Sequence, residues 1–304
     1  MIPVVPEMPD PLEKLVAWGN AHPRVRAMIL TSSHARQDGL VDLLSDYDVI
    51  LAVTDADQFV QEDGWLSGYG KPMLRSSDQD ELYQLTTYWR GVLYEDGVKI
   101  DYSVWPVGLL EQITSEAGLP DGLDAGYRVL LDKDGQTAGW KPPSYRAYIP
   151  IRPTEAEYQA LVEEFWWVST YVAKSLWRDE LVFARWCLDQ LLKVEVMRQL
   201  LEWRIEIDLD WSVKPGWQGR GLKRQLRADI WSDFASTYVG PNIEDNWAAL
   251  FRLTTLFRRV AMEVGSALGY AYPQALDDWV SAYLDSVRKL PRNGSPPHAQ
   301  GTKT

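Results

Sequence analysis

Two aspartates separated by a single residue stand at the mouth of a short apolar run: Asp46-Tyr47-Asp48 leads directly into Val49-Ile50-Leu51-Ala52-Val53. A run with no polar face reads as a central strand covered on both sides. Side chains alternate along a strand, so Asp46 and Asp48 share one face and Tyr47 takes the other. Upstream, Val25 to Thr31 reads as another strand, and Ser32-Ser33 marks the turn after it. Downstream, Asp96-Gly97 is a turn signal within two hairpin-forming segments spanning 81–105. Val98, Ile100, Tyr102 and Val104 then fall on one face, with Lys99, Asp101, Ser103 and Trp105 on the other. The same logic lets Asp101 arrive on the polar face beside Asp46 and Asp48.

Three carboxylates in this pattern suit magnesium. Hard oxygen ligands hold the ion and connect it to substrate phosphates. In a two-metal arrangement, one ion favours deprotonation of an acceptor hydroxyl and the other neutralises the departing pyrophosphate. Asp-x-Asp alone is no more than an acidic strand start; the serine turn, the apolar strand and Asp101 give it the metal-site reading. Backbone amides of the Ser32-Ser33 turn can receive phosphate oxygens, and the Ser33 hydroxyl can add a contact. Arg36 can approach phosphate, with a solvated surface charge as the plain alternative.

A formal net charge of -12 argues against nonspecific duplex binding and favours a cationic small molecule. No nucleic-acid partner is expected. Cys187 is the sole cysteine, so no internal disulfide framework forms, and it reads as a buried thiol. His22, His34 and His298 show no zinc-ligand spacing. No secretion signal precedes the first helix, and no segment approaches the roughly 20 apolar residues of a membrane span. The expectation is a cytoplasmic monomer without a membrane partner.

The 304 residues predict two domains. Residues 1–150 form an α/β half, 151–290 an all-α helical bundle, and 291–304 a flexible tail. Asp10-Pro11 starts a helix that ends near His22-Pro23. Val41, Leu43 and Leu44 belong to a short structured connection. Residues 132–154 are the interdomain passage. Helical spacing then covers 155–177, 179–207, 222–231, 247–268 and a last helix from Pro273. Lys174, Arg178, Asp179 and Glu180 cluster at a break between helices. Asp179 can cap the next helix, Glu180 can bind a guanidinium or amine, and core packing is the expectation for Trp177 and Trp186.

The run AMILTSSHARQDGLVDLLSDYDVILAV resembles the aminoglycoside 6-adenylyltransferase (streptomycin adenylyltransferase) family. That family places Gly-Ser-Arg-Ala after an apolar strand and a later Asp-x-Asp before another. Ser32-Ser33 aligns with Gly-Ser, His34-Ala35 with Arg-Ala, Asp46-Tyr47-Asp48 with the acidic motif, and Asp101 in KIDYSV with the third carboxylate. FWWVSTYVAKSLWRDELVFARWCLDQLL, GRGLKRQL and LFRLTTLFRRVAMEVGSALGYAYP resemble the family's helical half. The resemblance implies a polymerase-beta-like nucleotidyltransferase mixed sheet followed by a helical domain that completes a substrate cleft. It implies AMP transfer from ATP to the 6-hydroxyl of streptomycin, with pyrophosphate released. Asp46, Asp48 and Asp101 then organise Mg2+, and Ser33 and Lys223 serve the nucleotide; by the residues' own placement Ser32 and Arg36 join them, and Lys174, Arg178, Asp179 and Glu180 are the candidate acceptor contacts. Ser32 and His34 depart from the family's glycine and arginine. Two alternatives stay open: the same chemistry on another aminoglycoside or a lincosamide, and a non-catalytic nucleotide-binding regulatory protein.

Overall fold

The computed structural model describes residues 10–36 and 41–291. The chain divides into two compact units, Met1–Tyr148 and Ile149–Thr304. Apart from Pro291, the expected flexible tail lies outside the described residues.

The first unit is built on β1 (Val25–Thr31), β2 (Tyr47–Val53), β3 (Pro72–Leu82), β4 (Leu85–Tyr94), β5 (Lys99–Pro106) and β6 (Arg128–Asp132). They form one sheet in the order β3-β4-β5-β2-β1-β6. β2 and β5 run parallel; the other neighbours are antiparallel. Helix α1 (Pro11–Ala21) opens with the Asp10 carboxylate accepting the Leu12 amide and Pro11 in the first turn. α1 supplies Leu15, and α2 (Ala56–Gln61) supplies Phe59 and Val60, to one face of the sheet, against Val49, Leu51, Ile100, Tyr102 and Val104. α3 (Gly108–Ser115) and α4 (Asp121–Asp124) cover the other face, where Leu109, Leu110 and Leu123 meet Ile29, Ile50 and Ala52. Burial on both sides explains why β1 and β2 read as unbroken apolar runs.

β3 and β6 do not stand out in the sequence. β3 is an edge strand, exposed from Met73 to Glu81, so its side chains carry no apolar alternation. Its charged residues are what an unpaired edge tolerates. The β3–β4 hairpin turns at Tyr83-Gln84, both at positive φ (50° and 65°), without the Asn-Gly that announces such a turn. The structured connection expected at Val41, Leu43 and Leu44 is also corrected: it forms no regular element, and Leu44 is 90% exposed. There the Asp42 carboxylate accepts the Leu44 amide at 2.8 Å and the Asp42 amide donates to the Ser45 hydroxyl at 2.9 Å. That local turn satisfies the backbone while leaving the leucines outside any core.

The second unit is helical. α5 (Glu155–Trp177) starts with a capping box: the Thr154 hydroxyl accepts the Glu157 amide, and the Glu157 carboxylate accepts the Thr154 amide. The next long segment runs as α6 (Leu181–Arg185), a π-helical stretch (Trp186–Met197) and α7 (Arg198–Asp208). The single helix expected over 222–231 is two, α8 (Leu222–Gln225) and α9 (Ala228–Ala235), because Leu226 and Arg227 take extended ψ values. α10 (Ile243–Leu268) begins at the Asn242 cap, and α11 (Gln274–Lys289) follows Pro273. Phe165, Trp166, Cys187, Leu200, Leu253 and Phe257 lie in its common core.

Non-glycine residues in the left-handed region cost about 1 kcal/mol each. Gln84→Gly should therefore raise unfolding free energy by about 1 kcal/mol, read from the midpoint of urea denaturation. A lowered midpoint would mean that the Gln84 side chain supports the hairpin.

Candidate active site

The acidic corner arises from strand register. In the parallel pair, Asp48 of β2 stands opposite Asp101 of β5, and Tyr47 opposite Ile100. On the other side of β2, Thr31 at the end of β1 pairs with Asp48. The Ser32–His34 turn therefore follows at the same end of the sheet. Ser32 sits at φ 56°, a glycine-like conformation, and its hydroxyl hydrogen-bonds to Asp48. Asp46 immediately precedes β2 and is tied to β5 by Lys99. The Lys99 ammonium donates to Asp46 Oδ2 at 2.6 Å and to Asp101 Oδ2 at 2.9 Å.

Two contributors escaped the sequence reading. Lys99 was visible on the polar face with Asp101, but its reach across to Asp46 needs the parallel pairing. Gly91 of β4 stands opposite Asp101. A Cβ there would lie 2.5 Å from the Trp89 ring and 3.1 Å from Asp101 Oδ1. A strand glycine often marks such a close approach, and strand spacing alone gave no sign of this one.

The electrostatics follow from crowding. Burial and then the Asp101 carboxylate push Asp48 up to about 6, against the opposing hydrogen bond from Ser32. Burial pulls Lys99 down, yet its bonds to Asp46 and Asp101 leave it above the ordinary lysine value. One oxygen of Asp101, Oδ1, is closed to solvent and has no hydrogen-bond partner among the described residues. A raised carboxylate and an orphaned acidic oxygen suit a cation in charge and donor type. Among the described residues, however, no three acidic, histidine or cysteine side chains form a ready-made metal site. Between Asp46 and Asp101 stands the Lys99 ammonium.

The other expected residues fall as follows. Ser33 lies in the turn beside Ser32, and the Arg36 side chain passes over Gly126, where a Cβ would come within 3.2 Å of it. Lys223 is exposed on α8, in the helical unit. Lys174 lies over the Tyr171 ring at 4.7 Å. Arg178, Asp179 and Glu180 are exposed. Asp179 does not cap α6. It closes α5 at φ 63°, its amide bonding to Leu176 O while that of Glu180 bonds to Ser175 O. Trp177 packs against the helical core and donates to Leu290 O at 2.9 Å. Trp186, expected in the core, is 50% exposed, its ring stacked on Phe183 at 5.7 Å.

A mixed sheet with this acidic corner below a serine turn, followed by an all-helical half, defines a two-part nucleotidyltransferase. The chain belongs to the streptomycin adenylyltransferase family, whose model matches residues 7–287. It is 32% identical to the aminoglycoside 6-adenylyltransferase of Bacillus subtilis (strain 168), over 87% of this chain and 92% of the relative. Identity to the Campylobacter jejuni aminoglycoside 6-adenylyltransferase is 28%, over 88% and 90% of the two chains. The crystal structure of an aminoglycoside 6-adenyltransferase from Bacillus subtilis aligns over 93% of this chain and 100% of that one, with 28% identity and a TM-score of 0.44.

Asp48 makes a stability prediction with a definite sign. Its folded value is raised to about 6, so the folded state holds the proton more tightly than the unfolded chain. Stability is therefore lost as pH rises from about 4 to 6. Metal-free Asp48→Asn should be more stable than the parent by about 2 kcal/mol at pH 7.5. That advantage should vanish near pH 4. Thermal melts in chelator across this range check it, and a pH-independent difference would contradict it.

Proposed function

We propose that this enzyme transfers AMP from ATP to the 6-hydroxyl of streptomycin, releasing pyrophosphate. The reading is carried by the register that sets Asp48 beside Asp101 with Asp46 linked to them. Family membership over residues 7–287 supports it.

The acceptor oxygen attacks the α-phosphorus, the bond to the pyrophosphate oxygen breaks, and the acceptor proton departs. Asp101 would take the proton, its carboxylate standing opposite Asp48 at the corner. Asp46, Asp48 and Asp101 would hold Mg2+, which supplies charge neutralisation for the phosphates when bound. Amides of the Ser32–Ser33 turn and the Ser33 hydroxyl receive phosphate oxygens. Ser32 is committed to Asp48 through its hydroxyl, so its contribution to phosphate is its backbone. Arg36 adds positive charge for the nucleotide.

For the acceptor, the helical unit offers carboxylates and exposed rings in one short stretch. Glu180 precedes α6, and Phe183 and Trp186 follow at steps of three residues, their rings stacked at 25°. Guanidinium and ammonium groups favour such aromatic faces next to acids. Asp179 and Glu180 supply the acidic component, while Lys174 and Arg178 donate to acceptor hydroxyls.

The test is a magnesium-ATP assay against a panel of aminoglycosides and lincosamides, with mass analysis of each product. AMP-streptomycin is the expected product. Asp46→Asn, Asp48→Asn and Asp101→Asn should each lower kcat by about 100-fold or more. An adduct on another drug and none on streptomycin would replace the acceptor. ATP binding with no pyrophosphate released across the whole panel would favour a regulatory nucleotide-binding protein instead.

Trp186→Ala should raise KM for streptomycin roughly tenfold, the equivalent of about 1.4 kcal/mol, with kcat nearly unchanged. A fall in kcat at constant KM would take Trp186 out of acceptor binding.

A further inference from the structure

We infer that Lys99 is a built-in counter-ion that holds Asp46 and Asp101 together in the metal-free enzyme and competes with divalent ions for their oxygens. The inference rests on the reading of Asp46, Asp48 and Asp101 as metal ligands and adds a residue that opposes them.

The geometry is specific. Lys99 and Asp101 are two positions apart on β5, so both side chains leave the same face. The ammonium bonds Oδ2 of Asp101 at 2.9 Å and reaches Oδ2 of Asp46, just outside β2, at 2.6 Å. Its bonds join two segments that are neighbours only through the β2–β5 pairing. The longer distance is that of a charge-assisted hydrogen bond and the other is slightly shorter still. Asp48 takes its hydrogen bond from the Ser32 hydroxyl. The corner thus sets one ammonium against three carboxylates, and Lys99 bridges Asp46 and Asp101, offsetting one of their two negative charges.

A divalent ion between Asp46 and Asp101 needs the lone pairs that Lys99 now uses. Lys99 is tethered, so it competes at high effective concentration. Any cation entering nearby also meets its positive charge. Metal binding without nucleotide is therefore held weak. A nucleoside triphosphate changes the balance, because it brings negative charge that can accept the displaced ammonium and supplies further oxygen ligands for the ion. Lys99 is accordingly a positioning residue that makes metal loading depend on the nucleotide donor. It is not a catalytic residue.

The experiment is Mn2+ titration of the full chain in the absence of nucleotide, by calorimetry and by thermal melts. Lys99→Met keeps much of the side-chain length and removes the charge. It should bind Mn2+ about tenfold more tightly than the parent, melt lower in chelator, and gain more in Tm when Mn2+ is added. Lys99→Arg, which keeps the charge, should stay near the parent. A side chain that merely stabilised the fold would lower Tm without raising Mn2+ affinity. Lys99→Gln gives the same comparison where Lys99→Met does not fold. Equal or weaker Mn2+ binding by the charge-removing variant overturns the inference, including the result that neither protein binds. Asp46→Asn and Asp48→Asn separate the two levels. Parent-like Mn2+ binding in both removes the metal-site reading together with the inference. Loss of binding in both, with Lys99→Met unchanged, removes the counter-ion role alone.

Discussion

Parallel pairing of β2 with β5 places two carboxylates, Asp48 and Asp101, directly side by side, and the acidic corner is organised around that repulsion. Neighbouring strands are about 5 Å apart, so like charges there oppose folding unless something compensates. Two compensations are present, the Ser32 hydroxyl on Asp48 and the Lys99 bridge from Asp101 to Asp46, and the upward shift of Asp48 to about 6 marks what burial and repulsion still cost. The opposite face fixes the register that enforces the crowding. Ile100, Tyr102 and Val104 are buried there, and the Tyr102 hydroxyl meets that of Tyr94 at 2.9 Å. A slip of one residue would turn those side chains toward the other face and separate the aspartates. Apolar packing thus holds together a polar site that would not assemble by itself.

The departure from the family at Ser32 becomes intelligible in this setting. At φ 56° a glycine would be less strained by about 1 kcal/mol. Glycine has no hydroxyl, however, and the Ser32 hydroxyl hydrogen-bonds to the carboxylate that burial and Asp101 most disfavour in ionised form. Local strain is thereby set against a hydrogen bond to a charged group, an interaction of similar or larger size. His34, in place of arginine, stacks on Tyr47 at 4.2 Å and 13°. Its ring rests on the residue between the two aspartates, a packing role that differs from a guanidinium directed at phosphate.

Elements covered on both faces were legible in the sequence, and those held by backbone alone were not. Val25–Thr31 and Glu155–Trp177 match the periodicity because their apolar residues have a core to meet. β3 shows no pattern because its side chains face solvent and its hydrogen bonds go to β4. Leu43 and Leu44 misled in the opposite direction, being apolar without a facing layer. At the corner, alternation was enough to bring Asp101 to the polar face. The partner strand and its direction were needed to find that Lys99 reaches Asp46. Gly91 could be understood only through the Trp89 ring and the Asp101 oxygen that occupy the space beside it.

The helical unit shows a different use of strain. α5 ends in a left-handed residue, the usual place for glycine, but here Asp179 holds φ 63°. Two other acids of this unit are tied down: Asp277 accepts from Arg258, Tyr272 and Ser281, and Glu263 binds Arg204 and Arg227. Asp179 is exposed, and among the described residues its carboxylate makes no ion pair or side-chain hydrogen bond. A glycine would meet the backbone requirement, and aspartate is among the few other side chains that visit this region. The half-exposed rings of Phe183 and Trp186 likewise expose apolar area that a core would cover. The acid and the rings stand within eight residues of one another, and under the function proposed above a cationic acceptor would meet carboxylate and aromatic face together.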